Sequence, residues 1–204
     1  MSFIPLKQRR LKRNRALAMS ERIRKMVVFA MLGTLMFVSK IVMEFLPNIH
    51  LLGALTMIYT IVYRKQALIP IYVYVFLNGL YSGFNLWWVP YCYVWTVLWA
   101  ITMLLPKKMS VKIAIPVYMI VCGFHGLIFG ALYAPFQALA FGLDFNGMLL
   151  WIISGFPFDV LHAFGNLVTG GLIVPLAKIL DKLERKYSHN PPLFKNDKEN
   201  LQKV

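Results

Sequence analysis

The chain has 204 residues, 59% of them hydrophobic and only 15% charged, with a mean hydropathy of +0.62. A soluble domain carries roughly 45–50% apolar and about 25% charged residues, so an ordinary aqueous globule is excluded and lipid must solvate much of the surface. The net charge of +14 would point to nucleic acid only if the cations lined one soluble face; here they flank apolar stretches, so no nucleic-acid partner is expected.

Of the 22 Lys and Arg residues, all but Lys40 fall in four runs, at residues 7–25, 64–65, 107–112 and 178–203. The gaps between them, near residues 47–50, 82–90 and 141–147, hold no Lys or Arg. Basic loops stay on the cytoplasmic side of a membrane. The alternation therefore predicts an all-α membrane protein with six transmembrane helices and both termini cytoplasmic. A transmembrane β-barrel is excluded, because the runs are apolar on all sides and do not alternate.

In chain order, residues 1–25 form a basic cytoplasmic arm, either an interfacial helix or a partly disordered orientation signal. Residues 26–183 form the membrane domain, and 184–204 a polar cytoplasmic tail. The first span, 26–46, is long enough to cross about 30 Å of hydrocarbon and lacks a signal-peptide cleavage site. Pro47-Asn48 turns the chain on the outer side. The second span is short, 51–63, and Arg64-Lys65-Gln66 makes a tight inner turn. The third runs over 67–82 and the fourth over 91–105. The fifth, 111–139, should kink or end at Pro116 and Pro135. The sixth, 148–183, is interrupted by Pro157, Gly165, Gly170-Gly171 and Pro175.

This topology assigns a depth to each intramembrane polar residue, and each needs a partner or a function. Lys40 and Glu44 lie in the outer third of the first span, Asn78 at the outer end of the third, and Gln137 at the outer end of the fifth. His125 lies near the middle of the fifth. Asp159, His162 and Asn166 share one face of the sixth at spacings of three and four. The lopsided distribution points to a cavity open to the outside. Asp159, His162 and Asn166 either line that cavity or tie helices together by hydrogen bonds. Lys40 and Glu44 form a simple i,i+4 ion pair or contribute to the pocket.

Aromatics crowd the same side: Tyr81, Phe84, Trp87, Trp88, Tyr91, Tyr93 and Trp95. Some form an interfacial belt. Trp95, one turn below Tyr91, is the best placed to stack on a ligand ring. Ala30, Gly33 and Thr34 make a small face on the first span, and Gly126 and Gly130 a G-x-x-x-G on the fifth, as at close helix contacts. Cys92 and Cys122 read as small buried hydrophobes, with no metal site. No nucleophile elbow, H-E-x-x-H or phosphate-cradling loop is present, so the chain reads as a non-enzyme without a cofactor.

The stretch Gly155-Phe156-Pro157-Phe158-Asp159-Val160-Leu161-His162-Ala163-Phe164-Gly165-Asn166, followed by Pro175-Leu176, is similar to the last span of the substrate-binding S components of energy-coupling factor (ECF) vitamin transporters. The six compact spans, basic arm and small-residue face also resemble that family over roughly residues 26–183. The resemblance implies a small-molecule ligand, a vitamin or related heterocycle, bound on the outside of a prokaryotic cell membrane. It implies partners too: a membrane coupling (T) subunit and two ATPase subunits. It points by position to Trp95, His125, Gln137, Asp159, His162 and Asn166 as pocket residues, which Lys40 and Asn78 join by depth. It also points to Ala30, Gly33 and Thr34 as the docking face, where Thr34 departs from the family's Ala-x-x-x-Ala pattern. Two other classes compete: an intramembrane enzyme acting on a lipid or isoprenoid through Asp159 and His162, and a non-catalytic membrane scaffold.

Overall fold

Long runs rich in Leu, Met, Ala and Phe, without polar alternation, satisfy their backbone groups in lipid only as helices. The computed structural model describes residues 6–186 and Leu193, and these residues are all-helical with connecting turns. The elements are α1 (Leu6–Val42), α2 (Leu52–Tyr63), α3 (Leu68–Ser82), α4 (Tyr91–Leu104), α5 (Val111–Leu127), α6 (Phe129–Phe141), α7 (Phe145–Gly170) and α8 (Ile173–Arg185), with single 3₁₀ turns at Arg64–Ala67 and Leu86–Trp88. The expected tail at 184–204 and the first residues of the basic arm lie largely outside the described residues. α1 runs without interruption from the arm into the first span, 37 residues in all.

Four segments are long and apolar enough to cross a bilayer: Leu17–Val42, Leu86–Leu104, Val111–Phe141 and Phe145–Gly170. The expected second and third spans form as α2 and α3 but have only 12 and 15 residues, against the roughly 20 that cross a bilayer unaided. The core is built around α2, which is apolar on every side and buried from Leu52 to Ile61. It is packed among α1, α3, α4, α5, α7 and α8.

Two expected spans each consist of two helices. The fifth is interrupted at Ile128, between α5 and α6, and not at Pro116 or Pro135, which lie inside those helices. The break falls between Gly126 and Gly130, where α5 and α6 pack tightly on α7. A Cβ on Gly126 would meet the Ala163 nitrogen and the His162 carbonyl at 2.9 Å, and one on Gly130 would collide with the Asp159 carboxylate. The sixth runs unbroken through Pro157 and Gly165 and breaks only at Gly171-Leu172. Pro175 then falls in the first turn of α8, where a missing N–H is harmless. The start of α7 is fixed by Asp144, whose carboxylate accepts the Gly147 amide at 2.7 Å.

The basic segments gather at one end of the bundle. Arg24 of α1 donates to both Glu184 carboxylate oxygens of α8, at 3.2 and 3.3 Å, and the Tyr63 hydroxyl of α2 donates to the same carboxylate at 3.1 Å. Arg64 donates to the Met103 carbonyl at the end of α4, at 2.9 Å.

Candidate functional site

Aromatic and imidazole rings converge in the half of the bundle away from the basic segments. Trp95 of α4 is the hub, only 1% exposed. Its ring centroid lies 6.0 Å from His50, 6.2 Å from Tyr74, 6.0 Å from Tyr91, 5.8 Å from His125 and 5.9 Å from Phe129. His162 of α7 stands edge-on to both His50 and Phe129, at 4.8 Å each. The cluster thus joins five elements: the α1–α2 link, α3, α4, the α5–α6 segment and α7. Its aromatic rim continues outward through Tyr91, Tyr133 and Trp151.

The cluster contains an unusual number of buried polar atoms that meet no hydrogen-bond partner among the described residues. They include the Tyr74 hydroxyl, both amide atoms of Asn78, Trp95 Nε1, His125 Nδ1 and His162 Nε2. Asn78 is fully buried one turn along α3 from Tyr74. His125 Nε2 lies 3.1 Å from the Val94 carbonyl. A carbonyl can only accept, so Nε2 carries the proton of the neutral ring and Nδ1 presents a lone pair. The cluster therefore offers donors (Trp95 N–H, Tyr74 O–H, Asn78 N–H₂) beside acceptors (His125 Nδ1, Asn78 Oδ1), and no formal charge.

His50 sits at the edge of the cluster, on the link between α1 and α2. Burial lowers its imidazole to about 4, and the Lys40 charge acts in the same direction. Lys40 itself pairs with Glu44, Nζ to Oε1, at 3.7 Å. It borders the cluster through His50 and makes no ring contact with it.

The triad on α7 divides. His162 faces the rings. Asp159 accepts the Gly130 amide at 3.1 Å, and the Asn166 amide donates to the Cys122 carbonyl at 3.2 Å. Those two bonds hold α7 to α6 and α5. Three residues on one helix face thus meet three different surroundings, which their spacing alone does not reveal. Gln137 lies half-buried on α6, one turn beyond Tyr133, outside the ring contacts. The small face of α1 also divides. Ala30 and Thr34 are exposed, and the Thr34 hydroxyl donates to the Ala30 carbonyl at 2.9 Å. Gly33 is instead buried against α3, where a Cβ would meet Val73 Cβ at 2.6 Å.

His50, Tyr74, Phe129 and Tyr133 belong to the cluster although the sequence does not single them out as site residues. His50 carried the one usable signal, an imidazole two residues past the Pro47-Asn48 turn. The others are aromatic residues in apolar runs full of them. The aromatic crowd itself sorts cleanly: Tyr81 and Phe84 are more than half exposed, as belt residues are, while Trp95 is sealed inside. Among the described residues no three His, Cys, Asp or Glu side chains are grouped to hold a metal ion. Two surface hollows lie elsewhere, one at the basic end and one on the outer face of α3.

Comparison with protein-family models, curated proteins and solved structures gave no match for this chain. The four long apolar helices make it a membrane protein by length and composition.

Proposed function

We propose that the chain is the substrate-binding S component of an ECF-type importer, taking up a vitamin or related small heterocyclic metabolite. In this reading α2 and α3 complete a six-span topology as short spans surrounded by longer ones, and both termini are cytoplasmic. The Trp95 cluster then opens toward the outside of a prokaryotic cell membrane, and a T subunit with two ATPases supplies the energy.

One observation carries this reading: buried polar atoms without partners converge on a ring-lined centre. Each such atom costs about 1–3 kcal/mol. A flat heterocycle with N–H and carbonyl or ring-nitrogen edges offsets that cost, stacking on Trp95 and Phe129 while pairing with Tyr74, Asn78, His125 and His162. The enzyme reading is weaker, because Asp159 is engaged with the Gly130 amide and is not aimed at His162.

The test is mass spectrometry of small molecules extracted from the purified protein, followed by fluorescence titration with the compound found. Trp95→Phe should weaken binding more than tenfold, about 1.4 kcal/mol. No co-purifying compound, together with no quenching by a vitamin panel, would remove the proposal.

A further inference from the structure

A second site lies at the basic end of the bundle. Arg64 closes α2 with φ 54° and ψ −120°. A positive φ costs a non-glycine residue about 1–2 kcal/mol, so the surroundings must hold it there. They do: Trp99 Nε1 donates to the Arg64 carbonyl at 3.1 Å, and the Arg64 guanidinium donates to the Met103 carbonyl at 2.9 Å. That second bond uses one of five guanidinium N–H groups.

The guanidinium borders a hollow of about 120 Å³. Lys107, Thr102 and Tyr118 line it as well, together with the apolar Ile61, Leu105, Pro106 and Leu193. Among the described residues, two cations and no carboxylate line this hollow. The nearby acids are committed elsewhere, Glu184 to Arg24 and Tyr63, and Asp181 to Arg185 at 3.0 Å. Arg64 is half-buried and Lys107 exposed, and a guanidinium beside an ammonium favours an anion that accepts a planar fork of N–H groups. The volume admits a phosphate group.

We propose that the Arg64–Lys107 hollow binds a phosphate group, supplied by the headgroup of an anionic phospholipid in the leaflet at the basic end. Arg64 supplies the fork and Lys107 a second charge. The site is independent of the Trp95 cluster and of any ligand there.

The test uses full-length protein in nanodiscs and in lipid-free detergent. In native mass spectrometry, wild-type protein should retain phosphatidylglycerol over phosphatidylcholine. Lys107→Ala, an exposed change that leaves the fold alone, should cut that retention at least threefold, and Arg64→Lys should cut it further. Lys108→Ala, outside the hollow, should leave retention within twofold. In detergent, inorganic phosphate at millimolar concentration is the second probe. A melting shift from phosphate that Lys107→Ala abolishes, without lipid retention, would keep the phosphate site and overturn the lipid source. Equal losses in Lys107→Ala and Lys108→Ala would reduce the effect to general surface charge and overturn the site, as would the absence of both effects in wild-type protein.

Discussion

The Asp159 carboxylate of α7 accepts the Gly130 amide at the start of α6, at 3.1 Å. One helix thus caps another. Where α5 breaks at Ile128, the amides opening α6 lack intrahelical carbonyls, and a carboxylate on the neighbouring helix takes one of them. Asp159→Ala should therefore destabilise the protein by about 1 kcal/mol, which lowers Tm by about 2–4 °C for a chain of this size. Asp159→Asn, which keeps an acceptor oxygen, should lose less. Ligand affinity should fall less in Asp159→Ala than in Trp95→Phe. Thermal unfolding in detergent and fluorescence titration of the same variants separate the two effects, and a larger loss of affinity than of stability would return Asp159 to the binding site.

What the sequence revealed and what it concealed follow from the range of the interactions. Helical character, long apolar segments and the gathering of basic residues at one end depend on composition and period, although six spans were expected and four helices are long and apolar enough to cross a bilayer. Those were legible. The two breaks were not, because they are set by contacts between distant segments. Pro116 and Pro135 lie inside α5 and α6, while Gly126 and Gly130, packed on α7, flank the break. The same limit applies to the site. Trp95, His125 and His162 could be picked out as polar or aromatic groups within apolar runs. That Asn166 bonds to Cys122, and Asp159 to Gly130, depends on the rotation of α7 against α5, which no local pattern encodes.

His162 and Asn166 lie one turn apart on α7 and should respond oppositely to substitution. His162→Phe keeps a ring against His50 and Phe129 but removes a buried nitrogen that has no partner among the described residues. Its Tm should stay level or rise, since losing a buried polar group costs nothing when no bond is lost. Affinity for the bound small molecule should fall severalfold. Asn166→Ala removes the bond to Cys122 and should cost about 1–2 kcal/mol of stability, the usual range for an interhelical hydrogen bond in a membrane. Matching behaviour in both variants would mean that the division of the α7 face is wrong.

Glu184 holds Arg24 and Tyr63 together, joining α1, α2 and α8 at the basic end. The Arg24–Glu184 pair is partly exposed, at 25% and 16% of its side-chain surfaces. Its coupling should therefore be modest, about 0.5–1 kcal/mol in a double-mutant cycle of Arg24→Gln and Glu184→Gln, and should shrink at high salt. Glu184→Gln should also lift protection from α8 before the rest of the bundle in hydrogen exchange, because α8 is joined to α7 only through the Gly171-Leu172 break. Uniform loss of protection across the bundle would show that α8 does not open separately.

His50 should make stability depend on pH. Burial lowers its folded-state value to about 4, from the ordinary 6.5. With the folded value below the unfolded one, the unfolded chain takes up a proton first as pH falls. The stability that neutral His50 contributes is then complete above pH 6.5 and is lost between 6.5 and about 4. Tm measured from pH 7.5 to 4.5 should be flat at first and decline below 6.5. His50→Gln, neutral throughout, should reduce the slope of that decline. Because His50 stands 4.8 Å from His162 and 6.0 Å from Trp95, its protonation would also place a charge at the edge of an otherwise neutral site. Affinity for an uncharged ligand should fall over the same pH range in the wild type and less in His50→Gln. An identical pH profile in both proteins would show that His50 is already solvated and does not belong to the cluster.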